Sequence, residues 1–265
     1  MSQPLDPPPG VAALAQARQL GALLATYHPK RLGPAMLTLF AILIGGPLVL
    51  GVALGVNGVW PPVFVLVLPL VAVFVILLLR APNFNRAQAR RRVYAFEGGL
   101  VHVDRAGRLS DYRWDAVTSV QQKIVRQTSY GVHTGTHYLY TIIRNDGTVL
   151  KLTQVFGGIE QLGQGILEQV TRVHLPHAFA AVQRGETVPF GDLAVNAAGV
   201  VSVRHGLLPW TDLEGVSVVN GYVGLRKAGK WLPWSGKAAS DIPNLFVFLT
   251  LADQLQRAAH GSHRP

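Results

Sequence analysis

The chain has 265 residues, 49% hydrophobic and only 14% charged, with 24 Lys/Arg against 14 Asp/Glu (net charge +10) and no cysteine. The missing cysteines exclude disulfides and thiolate metal sites. The cationic excess does not mark a nucleic-acid protein. Residues 1–92 hold eight Lys/Arg against Asp6 alone (+7), and residues 93–265 keep +3, near neutral for their size.

Residues 1–10 (MSQPLDPPPG) are Pro-rich and expected to be disordered. They are not a signal peptide, because no cationic start leads into an apolar core. Val11–Tyr27 is rich in Ala and Leu. Its Leu20, Leu23, Leu24 and Tyr27 fall at i, i+3, i+4 and i+7, so residues 1–33 predict a disordered start and an amphipathic helix.

From Ala35 to Leu79 there is no Asp, Glu, Lys, Arg or His. A bilayer core about 30 Å thick needs about 20 apolar residues. Residues 34–80 therefore predict a transmembrane α-helical hairpin, with spans at roughly Pro34–Val56 and Trp60–Leu79 and a turn at Asn57–Pro62. Lys30, Arg31 and Arg80 flank it, which by the positive-inside rule keeps both termini and the polar remainder in the cytoplasm. The expected location is the bacterial inner membrane, with two spans integral to the bilayer. Gly51-x-x-x-Gly55 is a helix-packing candidate, within the hairpin or between copies of a homo-oligomer. Neither span carries an ionisable residue for an ion path, so a pump is not expected. Residues 81–92 form a basic connector. Its Arg90, Arg91 and Arg92 are candidates for anionic headgroup binding, at roughly 1 kcal/mol per charge near a surface.

The remainder repeats itself. Gly99-Leu100-Val101-His102-Val103 recurs as Gly199-Val200-Val201-Ser202-Val203. The stretch from Trp114 to Val120 recurs as Trp210 to Val216, and Arg144 to Leu150 recurs as Arg226 to Leu232. Three matched blocks in one order imply a duplication into units at 93–180 and 181–259, followed by a tail at 260–265. Each unit reads as strands followed by one helix. Asn145-Asp146-Gly147 is a hairpin turn signal. Ile159, Leu162, Ile166 and Val170 mark one helical face, and Leu245, Phe248, Leu249, Ala252 and Leu255 mark another.

Tyr27-x-Pro29-x-Arg31-Leu32-Gly33, Val93-Tyr94-x-Phe96-x-x-Gly99-Leu100, Val188-Pro189-Phe190-Gly191, Leu208-Pro209-Trp210 and Ile242-Pro243-Asn244-x-Phe246-Val247-Phe248-Leu249 cover nearly the whole chain. Together they resemble bacterial membrane proteins in which tandem pleckstrin-homology-like (PH-like) units join a transmembrane hairpin. The resemblance implies a mainly β, α+β soluble part of two small bent antiparallel sheet barrels, each capped by a C-terminal helix. It also implies membrane association without enzymatic activity, and it supplies no site residues.

Arg105, Arg108 and Arg113 flank the first predicted hairpin of the first unit. Many lipid-binding PH domains hold phosphoinositide phosphates there, because several cationic donors must converge on a polyanion. Here Asp104 and Asp111 interleave with the cations. His133-x-x-x-His137 would lie about 13 Å apart on an extended chain, and His174-x-x-His177 follows the helix Ile159–Val173, with Pro176 between the pair and no acidic partner nearby, so no metal is expected. Tyr130–Thr136 reads as a loop able to contact a partner. No G-x-S-x-G, P-loop, G-x-G-x-x-G or H-E-x-x-H motif occurs, so no catalytic residue and no cofactor is expected. The expected function is a non-enzymatic interaction or scaffold module with a protein partner and the bilayer, and no nucleic acid. The alternatives are a sensor of anionic lipid headgroups and an accessory component of a transport complex.

Overall fold

The first helix, α1 (Pro9–Ala17), opens on a proline whose fixed φ suits a first helical turn. It stops early. Gln19 and Gly21 take φ of 53° and 77°, and the chain leaves them as a strand, β1 (Leu23–Tyr27). The helical spacing of Leu20, Leu23, Leu24 and Tyr27 is thus overridden by sheet pairing, since the left-handed residues end the helix before Leu23. The computed structural model describes residues 6–31, 85–129 and 132–261, with scattered positions between 33 and 76.

β1 pairs antiparallel with β2 (Arg92–Phe96), Tyr27 opposite Val93, although residues 28–91 separate them in sequence. The sheet continues through β3 (Gly99–Val103) to β4 (Leu109–Arg113). Alternation along the strands sends Val93, Leu100 and Tyr112 to one face and Tyr94, Phe96 and Val101 to the other. α1 covers the second face with Val11 and Ala15. A short helix, α2 (Arg86–Arg90), precedes β2. Asn85 caps it, its Oδ1 accepting from the backbone N–H groups of Ala87 and Gln88 at 3.0 and 3.2 Å.

A 3-10 turn at Trp114 leads into a three-stranded sheet of β5 (Val117–Ser129), β6 (Val132–Arg144) and β7 (Val149–Thr153). Then comes α3 (Ile159–Gln183), whose Ile159, Leu162, Ile166 and Val170 are buried with Tyr140, Ile142 and Phe156. The same order follows again. β8 (Val188–Phe190), β9 (Leu193–Val195), β10 (Gly199–Ser202) and β11 (Gly206–Pro209) form one sheet. β12 (Leu213–Val219), β13 (Tyr222–Lys227) and β14 (Ser235–Ala238) form the next, and α4 (Leu245–Gly261) closes the run. Corresponding tryptophans share one role. Trp114 Nε1 donates to Glu97 O at 3.0 Å and Trp210 Nε1 to Asn196 O at 3.1 Å, tying each turn to the strand connection beside it.

Each half has its own buried cluster, and Asn244 joins them. Its backbone N–H donates to Val120 O at 2.9 Å, its Oδ1 accepts from Val120 N at 2.8 Å, and its Nδ2 donates to Thr118 O at 2.8 Å. One residue thereby occupies the open edge of β5. Its φ of 51° suits asparagine, which enters the left-handed region more readily than most residues.

Three expectations are corrected. The four small sheets share no strand pair between them, so the described residues form no closed barrel, in place of the expected bent barrels. No helix among the described residues is long and apolar enough to cross a membrane. α3 has the length, at 25 residues, but carries Glu160, Glu168 and Arg172; α4 has only 17 and carries Asp253 and Arg257. The two-span hairpin expected over 34–80, and with it an integral inner-membrane location, is therefore not supported. That stretch, with Gly51 and Gly55, lies for the most part outside the described residues. Lastly, α3 runs on through Pro176, so His174 and His177 are helical rather than beyond a helix end.

Candidate functional site

The β3–β4 connection is built around Asp104. Its Oδ1 accepts from the backbone N–H groups of Ala106 and Arg108 at 2.8 and 2.9 Å, and its Oδ2 from Arg108 Nε at 2.8 Å. Gly107, at φ 84°, supplies the left-handed step such a tight turn requires. The carboxylate thus organises the loop and partly neutralises one of its two arginines. The Arg108 hydrogen bonds hold its carboxyl below the usual Asp range.

On the neighbouring side, Arg91 ends α2 with its guanidinium 5.1 Å from the Phe156 ring centroid. His102, in the middle of β3, meets the same ring edge-on at 6.4 Å. Between the loop, Arg91 and His102 lies a cavity of about 330 Å³, lined by Arg91, His102, Asp104, Arg105, Ala106 and Arg108. Three guanidiniums against one carboxylate leave it strongly cationic. With the Gln88 amide oxygen turned inward, it accepts from Arg105 Nε and Nη2 at 3.3 and 3.2 Å, steadying that side chain.

His102 is the unusual member. It is 8% exposed, and its Nε2 is buried without a hydrogen-bond partner. Buried polar atoms are nearly always satisfied, so a partnerless nitrogen in a side chain that lines the cavity is unusual. Burial first, then the nearby Arg91 charge, push its pKa down to about 4, with Asp104 opposing, so the ring is neutral at pH 7. Arg91 is lowered by burial and by Arg105 but stays a cation. The set contains no activated nucleophile. It is equipped to hold an oxyanion by charge-assisted hydrogen bonds.

The structure brings Arg91, Arg105 and Arg108 together and leaves the other candidates apart. Arg92 turns back, its Nη1 donating to Arg91 O at 2.8 Å and to Ala89 O. Arg90 is exposed on α2. Arg113 sits at the far end of the hairpin, opposite Gly99, in a bidentate pair with Asp115 at 3.0 and 2.7 Å. His174 Nε2 lies 3.1 Å from Trp114 O, and His137 Nε2 lies 2.8 Å from Gln127 Oε1. No group of three His, Cys, Asp or Glu among the described residues is placed to hold a metal. His102 and Phe156 were missed because each sits in a run that reads as plain core. The available signal was a lone histidine inside Gly-Leu-Val-His-Val.

A family of unknown function, DUF6585, matches residues 1–260. The chain belongs to DUF6585. This membership replaces the expected kinship with membrane proteins bearing tandem PH-like units and a transmembrane hairpin. No curated protein matches this DUF6585 chain. The match covers both halves and the apolar stretch between β1 and β2, so the pocket lies wholly inside the family region.

Proposed function

We propose that this DUF6585 chain is a non-catalytic binding module whose first half takes a tetrahedral oxyanion, a phosphate group above all, in the Arg91–His102–Arg105–Arg108 pocket. The observation that carries the reading is a cavity rimmed by three guanidiniums and one carboxylate, with the buried His102 in its wall. The phosphate could be free or part of a lipid headgroup, since both present the same oxygens.

Calorimetric titration of the full chain with inorganic phosphate, with glycerol phosphate and with phosphatidate vesicles separates the sources. A charge-assisted hydrogen bond contributes about 1.5–3 kcal/mol. Arg91→Ala or Arg105→Ala should therefore weaken binding roughly 10- to 100-fold, while Arg90→Ala and Arg113→Ala leave it unchanged. Saturable binding of the small anions points to free phosphate, and binding of vesicles alone to a headgroup. Binding that ignores Arg91→Ala, or no binding in any arm, defeats the reading.

A second reading, a protein-docking scaffold, is favoured by the second half. Trp231 is 96% exposed, Leu232 73% and Val203 81%. Ring contact between His205 and Trp234, at 5.4 Å, holds the β10–β11 turn beside the β13–β14 connection that bears Trp231. Exposed aromatic side chains of this kind anchor protein interfaces. In crosslinked pull-downs, a protein recovered with the wild type and lost with Trp231→Ser supports docking; identical recovery by both counts against it.

A further inference from the structure

We infer that the outer edge of β12 is a homotypic interface, where a second copy of this chain pairs antiparallel, β12 to β12, about a twofold axis at Ser217. β12 ends its sheet and is joined to β13 alone. The ladder fixes which of its backbone groups face outward. Leu225 O accepts from Trp234 N at 2.7 Å on the β14 side of β13, so Leu225 and the Val216 opposite it exchange no hydrogen bonds. Val216, and Val218 two residues on, therefore turn their N–H and C=O groups away from β13. Among the described residues no hydrogen bond reaches those four groups. A row of unpaired strand groups of this kind is a template for another strand.

The duplication shows that the fold closes this edge in its other half. Val120 of β5 corresponds to Val216, and Asn244 takes both its N–H and its C=O. Ahead of α3, where Asn244 stands ahead of α4, is Gly158, also left-handed at φ 71° but without an amide side chain to reach a neighbour. Head-to-tail continuation through that position is thus disfavoured, while self-pairing suits the sequence. With the axis at Ser217, Val216 of each copy lies opposite Val218 of the other and exchanges two hydrogen bonds with it, which satisfies all four outward groups. Val219, 61% exposed, lies opposite Gly215, where a Cβ would meet nothing within 4 Å, so the space above that glycine is open to it. Glu214, the one charge on β12, lies opposite Asn220 rather than another carboxylate. β12 holds no Pro or Lys, residues that commonly blunt an edge.

The chain has no cysteine, so Ser217→Cys carries a single thiol. Across the axis the two Cα atoms at 217 would lie about 4.5 Å apart, within disulfide reach. Light scattering of the full chain over a concentration series should show a monomer–dimer equilibrium. Oxidised with diamide, which takes up the two thiol hydrogens, Ser217→Cys should crosslink to a dimer, and Leu207→Cys on the exposed β11 should not. Val218→Lys should weaken the dimer by roughly 10-fold or more, since a charge replaces one valine of each cross-strand pair. A wild type that stays monomeric at every concentration overturns the inference. So does a dimer that ignores Val218→Lys or crosslinks equally through Leu207→Cys, either of which puts the interface elsewhere. Hydrogen exchange on the wild type decides even where a variant folds poorly. The Val216 and Val218 amides should gain protection as concentration rises, and exchange that is the same at all concentrations defeats the pairing.

Discussion

Gly163→Ala should destabilise the protein by about 2–3 kcal/mol and lower its melting temperature by roughly 4–12 °C. The direction is opposite to intrinsic preference, since alanine in a helix interior is favoured over glycine by about 1 kcal/mol. What reverses it is Tyr140. A Cβ at position 163 of α3 would overlap Cζ, Cε2 and the hydroxyl oxygen of that ring. The ring cannot step aside freely. It is buried, stacks alongside Tyr138 with centroids 6.5 Å apart, and belongs to the cluster that contains Ile142, Leu152 and Phe156. Burial first, then the neighbouring Tyr138 and Glu160, push the Tyr140 hydroxyl up to about 12. Thermal denaturation of the single variant and of Gly163→Ala with Tyr140→Leu checks the account. The smaller side chain should make the alanine far less costly, and a melting temperature that rises in Gly163→Ala would refute the overlap.

Much of the local structure was legible because single rules act alone there. The hydrophobic faces of α3 and α4 follow a 3.6-residue period, and the Asp146-Gly147 turn between β6 and β7 follows from glycine taking φ 80°. β1 was illegible because two periods compete over Leu20–Tyr27. The decision falls to partners in β2 far away in sequence. β5 and β6 run for 13 residues each, further than the apolar pattern near Tyr140–Arg144 suggests, because much of that hairpin is partly exposed. The apolar stretch from Ala35 to Leu79 shows the limit of composition. Its hydropathy predicts spans, whereas no helix among the described residues meets that description.

The site was half legible for a related reason. Arg105 and Arg108 are visible as hairpin cations, and Arg91 as part of a basic run. Which cations are free depends on short-range pairing that charge counting ignores. Arg113 is consumed by Asp115 two residues on, and Arg144 by Asp146 in the same way. The duplication sharpens the contrast between the halves. The strand position held by His102 in β3 is held by Ser202 in β10, whose Oγ accepts from Arg204 N at 3.3 Å. Two residues on, Arg204 takes the place of Asp104, so the second half lacks the carboxylate that shapes the loop. The proposed anion site accordingly belongs to the first half, and the exposed Val203, Trp231 and Leu232 belong to the second.

The paired glycines that start β3 and β10 allow the halves to be perturbed separately. A Cβ on Gly99 would stand 2.5 Å from Tyr112 O and 2.9 Å from Arg113 Cα; on Gly199 it would overlap Leu208 O and stand 2.8 Å from Pro209 Cα. These are backbone atoms of the neighbouring strand, and no side-chain rotation relieves the contact. The strands must part, at a cost of about 3 kcal/mol or more, at or beyond the upper end of what single substitutions usually cost. Gly99→Ala splits β3 from β4, the two strands whose connection forms the pocket, so it should abolish phosphate binding as well as stability. Gly199→Ala should strip hydrogen-exchange protection from β9 to β12 while β2 to β4 stay protected and phosphate still binds, because each half keeps its own buried cluster. Asn244 sets the opposing expectation. Its three hydrogen bonds to the edge of β5 couple the halves, and if that coupling dominates, Gly199→Ala will strip protection from β2 to β4 as well. The halves also meet where β5 lies beside the Ala239–Asp241 turn and where Ala178 and Val182 of α3 enter the second cluster, yet two distinct clusters of this size favour the local outcome.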